Sequence, residues 1–384
     1  MPSRILPRLG LPQYAALTLL FLFLMQCLWF MAHVSITQME SGFIEDGLLH
    51  VDGLVNAGTE YHSPLIPVLA GAPARAIDPQ ANFGRLSEYR LLIRLPFLLS
   101  GLLLGASLWY VARRLYGNFG GYIALGLYCF SPMVITRSSQ VQPDIVGAWG
   151  AFGLIFTGIA AAHTIYAPRD VVFWNWKRIL LMGISIALCI GSQWSLWLVL
   201  LPTLGFMLWV GHVRPRAALA IFAAASGVGL VLLWAVFTFR PATFVEALRA
   251  ANWIEFSPAL LSAKSTLTLL WLFFMQNGLG TLLLLITSLS AFAVWGRARY
   301  FGNVAPLIVA SLLIAAGLTM QHFAGMVFLF VALPFIVLFM AGVSVDLLET
   351  RYAVFANAII VGVLIANAVL DIGGLLQLAR PLSR

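Results

Sequence analysis

Two adjacent carboxylates, Glu45 and Asp46, stand in a polar stretch between long apolar runs. A carboxylate held at such a place can take a proton from an attacking hydroxyl. Neighbouring side chains on a helix point about 100° apart, so only one of the pair can face a given cavity. Asp46 is the first choice as base and Glu45 the second, with capping of a local helix as the competing role. His50 and Asp52 follow in the same segment, and His62 precedes Ser63-Pro64-Leu65, where it could contact substrate or pin the turn. Arginine forks suit an anionic leaving group, because a guanidinium grips phosphate through two parallel hydrogen bonds. Arg90 and Arg94 open an apolar run, and Arg94, lying within it, must snorkel, pair or bind an anion. Asp144 heads another apolar run, with Arg137 as its nearest cationic partner, and ionisable groups at such depth are usually paired or functional. His322 completes the set of candidate substrate-binding residues, with Arg240, Arg249 and Lys264 as weaker members.

The elements that must position these groups are helices in a bilayer. Of the 384 residues 61% are hydrophobic and 9% charged, against about 25% charged in soluble domains. A crossing helix needs about 20 apolar residues. On that rule about eleven spans are expected, centred near Leu22, Gly101, Leu125, Leu154, Ile184, Leu201, Val228, Leu283, Ser311, Leu333 and Val361. The stretch from Ile179 to Val210 must hold two short spans that turn near Gly191-Ser192-Gln193. Arg113-Arg114, Arg169, Lys177-Arg178, Arg214, Arg216, Arg297, Arg299 and Arg351 all fall in alternate turns, which puts the N-terminus inside and the C-terminus outside. The first segment, from about Tyr14 to Met31, reads as an uncleaved span.

The whole chain, 1–384, thus reads as one integral membrane domain, with a first outer loop at 36–89 and a second at 240–265. The first loop holds seven of the 14 acidic residues, Glu40, Glu45, Asp46, Asp52, Glu60, Asp78 and Glu88. Leu48, Leu49, Val51, Leu54 and Val55 predict an interfacial helix from Glu45 to Ala57, ended by Gly58. A second short helix is expected after Pro64, broken at Pro73. In the second loop Glu246 and Arg249 are spaced for a helical ion pair, and Trp253 suits a membrane-interface anchor. Cys27, Cys129 and Cys189 have no metal-ligand or disulfide spacing. The net charge of +8 sits in short clusters without interleaved aromatics, which speaks against nucleic acid. Gly120-Gly121, Gly227-x-Gly229 and Gly278-x-Gly280 read as helix contacts rather than phosphate loops.

Several ordered motifs carry a resemblance. Glu45-Asp46, Gly58 and His62-Ser63-Pro64-Leu65 are followed by Arg94-Leu95-Pro96, Ala112-Arg113-Arg114-Leu115-Tyr116-Gly117, Ser131-Pro132, Pro143-Asp144 and Gln321-His322-Phe323 before a span containing Pro334. This series resembles the GT-C glycosyltransferases, in the branch of protein O-mannosyltransferases, aminoarabinose transferases and lipopolysaccharide-core enzymes. The acidic pair is inverted relative to that branch, and Ser63 replaces the first Pro of its His-Pro-Pro. The resemblance implies an all-α polytopic bundle that moves a sugar, with inversion, from a polyprenyl-phosphate donor to a hydroxyl at the extracytoplasmic face. It implies membrane lipid and the lipid-phosphate sugar as partners. No cofactor is indicated for certain, a divalent metal being compatible with the chemistry. A noncatalytic member of the fold, acting as a structural subunit among other membrane proteins, is the competing reading, and a transporter the third. For the last, Gln193 and Gln276-Asn277 are the notable polar interruptions of the spans. Short inner loops, without retention or glycosylation signals, favour a bacterial inner membrane.

Overall fold

A computed structural model describes residues 10–51, 63–78, 88–165, 171–251, 253, 256–320 and 322–378. Apolar runs with no polar periodicity fold into helices throughout, and among the described residues the only β pairing is an isolated bridge between Phe256 and Met320. The principal helices are α1 (Leu11–His33), α2 (Gln38–Val51), α3 (Leu65–Ile77), α4 (Arg90–Cys129), α5 (Pro132–Ser138), α6 (Pro143–Ala162), α7 (Trp176–Ser192), α8 (Leu200–Val210) and α9 (Pro215–Val236). Then follow α10 (Pro241–Ala250), α11 (Lys264–Gln276), α12 (Leu279–Val294), α13 (Phe301–Thr319), α14 (His322–Leu348) and α15 (Ala353–Leu378).

Among the described residues seven helices are long and apolar enough to cross a membrane, or eight if the sharply bent pair Thr266–Gln276 and Leu279–Val294 is one span. Each of the eleven expected centres lies in a helix. The difference in count comes from α7 and from the segment before and within α8, which are shorter than a full span, and from α4, which contains two of the centres. α4 is interrupted at Gly117, whose φ of 78° only glycine adopts without strain. Beyond that turn the helix folds back on itself, so that the Tyr128 hydroxyl donates to the Gly101 carbonyl at 2.6 Å. The turn expected near Gly191-Ser192-Gln193 is present, because α7 ends at Ser192 and Gln193 is extended.

α14 is apolar on every side, and 94% of its spanning window is buried. It is therefore the central helix, packed along α13, α4 and α6. α15, by contrast, has 11% of its window buried and lines the outside of the bundle. Tyr116 donates to the Gly302 carbonyl, Trp209 packs on Phe301 with ring centroids 5.5 Å apart, and Arg297 pairs with Glu349 at 2.5 Å. The arginine-bearing turns thus gather at one end of the bundle. Nineteen residues of helix separate Arg113 at that end from Arg94 at the other, a rise of about 28 Å, close to the roughly 30 Å of a hydrocarbon core.

Candidate active site at the acidic end

α2 starts at Gln38, seven residues before the expected Glu45. The reason is a capping box: Thr37 Oγ1 accepts from the Glu40 amide at 3.3 Å, and Glu40 Oε2 accepts from the Thr37 amide at 2.9 Å. Asp46 and Glu45 consequently lie in the middle of α2 and cap nothing. Glu40, Ile44, Gly47 and Leu48 form the buried face of α2, while Glu45 is exposed and Asp46 half-buried on the flank. Neither Asp46 nor Glu45 has a hydrogen-bond or ion-pair partner among the described residues. Burial, and secondarily the neighbouring Glu45 charge, raise the Asp46 carboxyl above its ordinary value. His50 lies one turn beyond Asp46 on the same flank. It is buried, and its Nε2 donates to the Val236 carbonyl at 2.6 Å, which ties α2 to the end of α9.

α2 crosses α3 at nearly backbone contact. A Cβ on Gly47 would lie 2.0 Å from the Pro67 carbonyl oxygen, and one on Gly71 would lie 2.4 Å from the Gly47 carbonyl carbon. α3 itself runs through Pro73 to Ile77 instead of breaking at the proline. Gly47→Ala is expected to force the two helices apart, at a cost of about 1–3 kcal/mol. A lowered Tm of the purified protein in detergent reads this out, and a wild-type Tm would show that the crossing is not rigid.

Arg94 is fully buried and spends its donors internally. Its Nε and Nη2 grip Glu40 at 2.8 Å each, Nη1 donates to the Val34 and Met31 carbonyls at 2.9 and 3.3 Å, and Nη2 also donates to the Ser35 carbonyl at 2.9 Å. Arg90, one turn earlier on the same face, donates to the Ala32 carbonyl at 2.7 Å. Together they cap the end of α1, where helix carbonyls lack partners. The expectation that Arg94 binds substrate phosphate is thereby corrected, since no N–H remains to offer one. Arg90 keeps a buried Nε with no partner.

Glu40, in sequence one loop acid among seven, also accepts from the Val141 amide at 3.0 Å. This bond brings the segment between α5 and α6 against α2. In it Arg137 Nη1 donates to Gln142 Oε1 and, at 3.4 Å, to Asp144 Oδ2. Asp144 is buried in the first turn of α6, and its Oδ1 is unpartnered. The pairing expected of Arg137 and Asp144 is therefore present, beside α2. Asp46 lies six residues along α2 from Glu40, a rise of about 9 Å. The signals that could have marked Glu40 are the Thr37-x-x-Glu40 spacing and the need of a buried arginine for a counterion.

His62, Asp52, Gly58 and the second half of the expected Glu45–Ala57 helix lie outside the described residues, as do Gln321 and the chain beyond Leu378. The backbone of His322 opens α14, and its side chain is likewise outside what is described. α10 carries Glu246 and Arg249, which do not pair with each other but line an open groove of about 560 Å³ with Pro241, Ala242 and Val245. Trp253 packs on Trp194 with ring centroids 5.3 Å apart. Among the described residues no three His, Cys, Asp or Glu side chains gather as metal ligands.

The chain resembles two kinds of solved membrane protein across nearly its whole length. ArnT from Cupriavidus metallidurans, bound to undecaprenyl phosphate, matches 96% of this chain and 75% of its own at a TM-score of 0.60 and 14% identity. The chain has the GT-C fold. The oligosaccharyltransferase of Archaeoglobus fulgidus, in a complex with Zn and sulfate, matches 95% of this chain with a TM-score of 0.61 and 11% identity, and the chain spans 53% of that protein's length. Its complex with an inhibitory peptide and a dolichol-phosphate matches 96% of the chain at a TM-score of 0.54 and 13% identity. Residues 86–239 match the family model of dolichyl-phosphate-mannose-protein mannosyltransferases. No curated protein matches the chain in sequence. In this GT-C bundle the ordered motifs become structural parts. Arg94-Leu95-Pro96 opens α4, Gly117 turns it, Ser131-Pro132 caps α5 and Pro143-Asp144 begins α6.

Proposed function

We propose that this protein moves a sugar from a polyprenyl-phosphate donor to a hydroxyl acceptor at the extracytoplasmic membrane face. The observation that carries the reading is Asp46: half-buried, without a partner among the described residues, raised in pKa, and on a helix locked to the Arg137–Asp144 segment. Asp46 takes the acceptor proton as the hydroxyl oxygen attacks the anomeric carbon. The bond from that carbon to the phosphate oxygen breaks, with inversion, and the phosphate leaves with the electron pair. Arg137 and Arg90, each with donors to spare, hold the phosphate. Asp144 positions Arg137, and Glu45 tunes Asp46 through its charge. His62 and His322 remain candidates for contact with the substrate. The groove on α10 supports a place for the acceptor near the same end.

The orientation belongs to the same reading. The arginine-rich turns suit the cytoplasm of a bacterial inner membrane, which puts the N-terminus inside, the C-terminus outside, and the loops 36–89 and 240–265 on the reaction side. The test is transfer from a panel of labelled polyprenyl-phosphate sugars by the purified protein in lipid nanodiscs. Arg137→Gln is expected to raise the KM for donor about tenfold, the equivalent of one charge-assisted hydrogen bond, with little change in KM for acceptor. Failure of the wild-type protein to transfer from any donor, together with stable co-purification of other membrane subunits, would favour a structural role instead.

A further inference from the structure

The transfer reading leaves unused a buried polar seam on the far side of α5. It starts at the break between α11 and α12. The two half-helices Thr266–Gln276 and Leu279–Val294 meet at 106°, with Gly278 at φ 89° between them. Asn277 at the break is buried, and its Oδ1 accepts from Ser131 Oγ at 2.8 Å. Asn367 on α15 faces the same break, donating to Thr281 Oγ1 at 2.8 Å. One turn further along α15 lies Asp371, with 0% of its surface exposed. Its charge is within electrostatic reach of Cys27 of α1, whose Sγ donates to the Ile135 carbonyl of α5 at 3.9 Å.

Among the described residues neither Asp371 oxygen has a hydrogen-bond partner, and the Asn367 Oδ1 has none either. No lysine, arginine or histidine pairs with Asp371 among the described residues. Residues four apart on a helix share a face, with Cβ atoms about 5–6 Å apart. Among the described residues the seam therefore holds three unpartnered acceptor oxygens, two of which belong to one carboxyl group, and no cationic side chain to balance them. An ionised carboxylate left so within a span would be costly. What the site lacks is positive charge with an appetite for oxygen. A divalent ion would leave net charge in the apolar interior, whereas a monovalent one balances the single carboxylate. Discontinuous helices facing an ionisable residue are also where membrane proteins seat such ions.

We propose that Asp371 and Asn367, facing the broken α11–α12 helix, form a binding site for a small hard monovalent cation of the alkali type. The ion bridges the outlying α15 to the bundle and is independent of the sugar-transfer site. The test is the thermal stability of the full chain in detergent, titrated with NaCl or KCl against choline chloride at constant ionic strength. A saturable rise in Tm of about 2–4 °C is expected for one of the alkali ions. Asp371→Asn, which keeps the shape and removes the charge, should abolish that dependence, and Asn367→Ala should shift its midpoint to higher salt. Equal Tm in all three salts, or a dependence that survives in Asp371→Asn, would overturn the proposal. So would a protonated-carboxyl infrared band at neutral pH that disappears in Asp371→Asn, since the site would then hold a proton. Sugar transfer plays no part in any of these readouts.

Discussion

Asp46→Asn is expected to lower kcat for sugar transfer by about 10²–10⁴-fold, the usual worth of a positioned general base, with donor binding nearly unchanged. Asn has the same shape and no basicity, so the loss reports proton transfer. Glu45→Gln should cost far less, because Glu45 is exposed and acts on Asp46 through its charge alone. The pH profile carries the same signature. Burial raises the Asp46 carboxyl above the ordinary value of 3.8, so the acidic limb of kcat/KM lies above that value. In Glu45→Gln, which removes one of the two causes of the upward shift, the limb moves to lower pH. Stability runs the opposite way to activity. A carboxyl whose folded pKa is raised destabilises the fold above that pKa and has no effect below its unfolded pKa. Asp46→Asn should therefore match or exceed the wild-type Tm at neutral pH, with the difference vanishing in acid. Wild-type transfer rates in both Asp46→Asn and Glu45→Gln would remove the acidic pair from the mechanism.

Breaking the Arg94–Glu40 pair should do the greatest damage to the fold. Removing one member of a buried pair leaves the other charge uncompensated, at about 3–5 kcal/mol, out of a total stability of about 5–15 kcal/mol for a typical protein. Arg94→Ala also strips partners from the carbonyls of Met31, Val34 and Ser35, and Glu40→Ala from the amides of Thr37 and Val141. Both variants are expected to express poorly and to unfold well below the wild-type temperature. Arg94→Lys cannot reproduce the two-point grip and should fall between. If Arg94 instead bound phosphate, Arg94→Ala would keep its Tm and lose only donor affinity. A circular-dichroism melt in detergent alongside the transfer assay separates the two outcomes.

Arg94 inside an apolar run, and Asp144 at the mouth of another, are visible as groups that have to be paired or functional, because an isolated charge at such depth is costly. For Asp144 the sequence points to Arg137, which is close in the chain. For Arg94 the partner is Glu40, 54 residues earlier, one of seven loop acids and set apart locally only by the Thr37-x-x-Glu40 spacing, which marks a cap and not an ion pair. The helix carrying Asp46 is expected from sequence, but only from Glu45 onward. The capping box at Thr37 starts it at Gln38 instead, and the close crossing of Gly47 over Gly71 holds it against α3. Gln276-Asn277 is visible as a polar interruption. That it is a bend facing Asn367 and Asp371 depends on α15, which follows in the chain only after two further helices.

Composition by itself determined that the chain lives in a bilayer, and ordered motifs determined that its spans are those of a GT-C bundle. Both follow from local facts: a stretch of about 20 apolar residues crosses whatever its neighbours do, and backbone bonds inside a helix need no partner from elsewhere. Which charge meets which was decided only in three dimensions. A buried arginine is satisfied by any carboxylate and carbonyls the fold brings to it, and the same residue type, left with spare donors, is what would bind phosphate. Packing made Arg94 a structural clamp and, among the described residues, left Arg137 and Arg90 with donors to offer. Among those residues it also left Asp46 without a partner, which is the state a base requires.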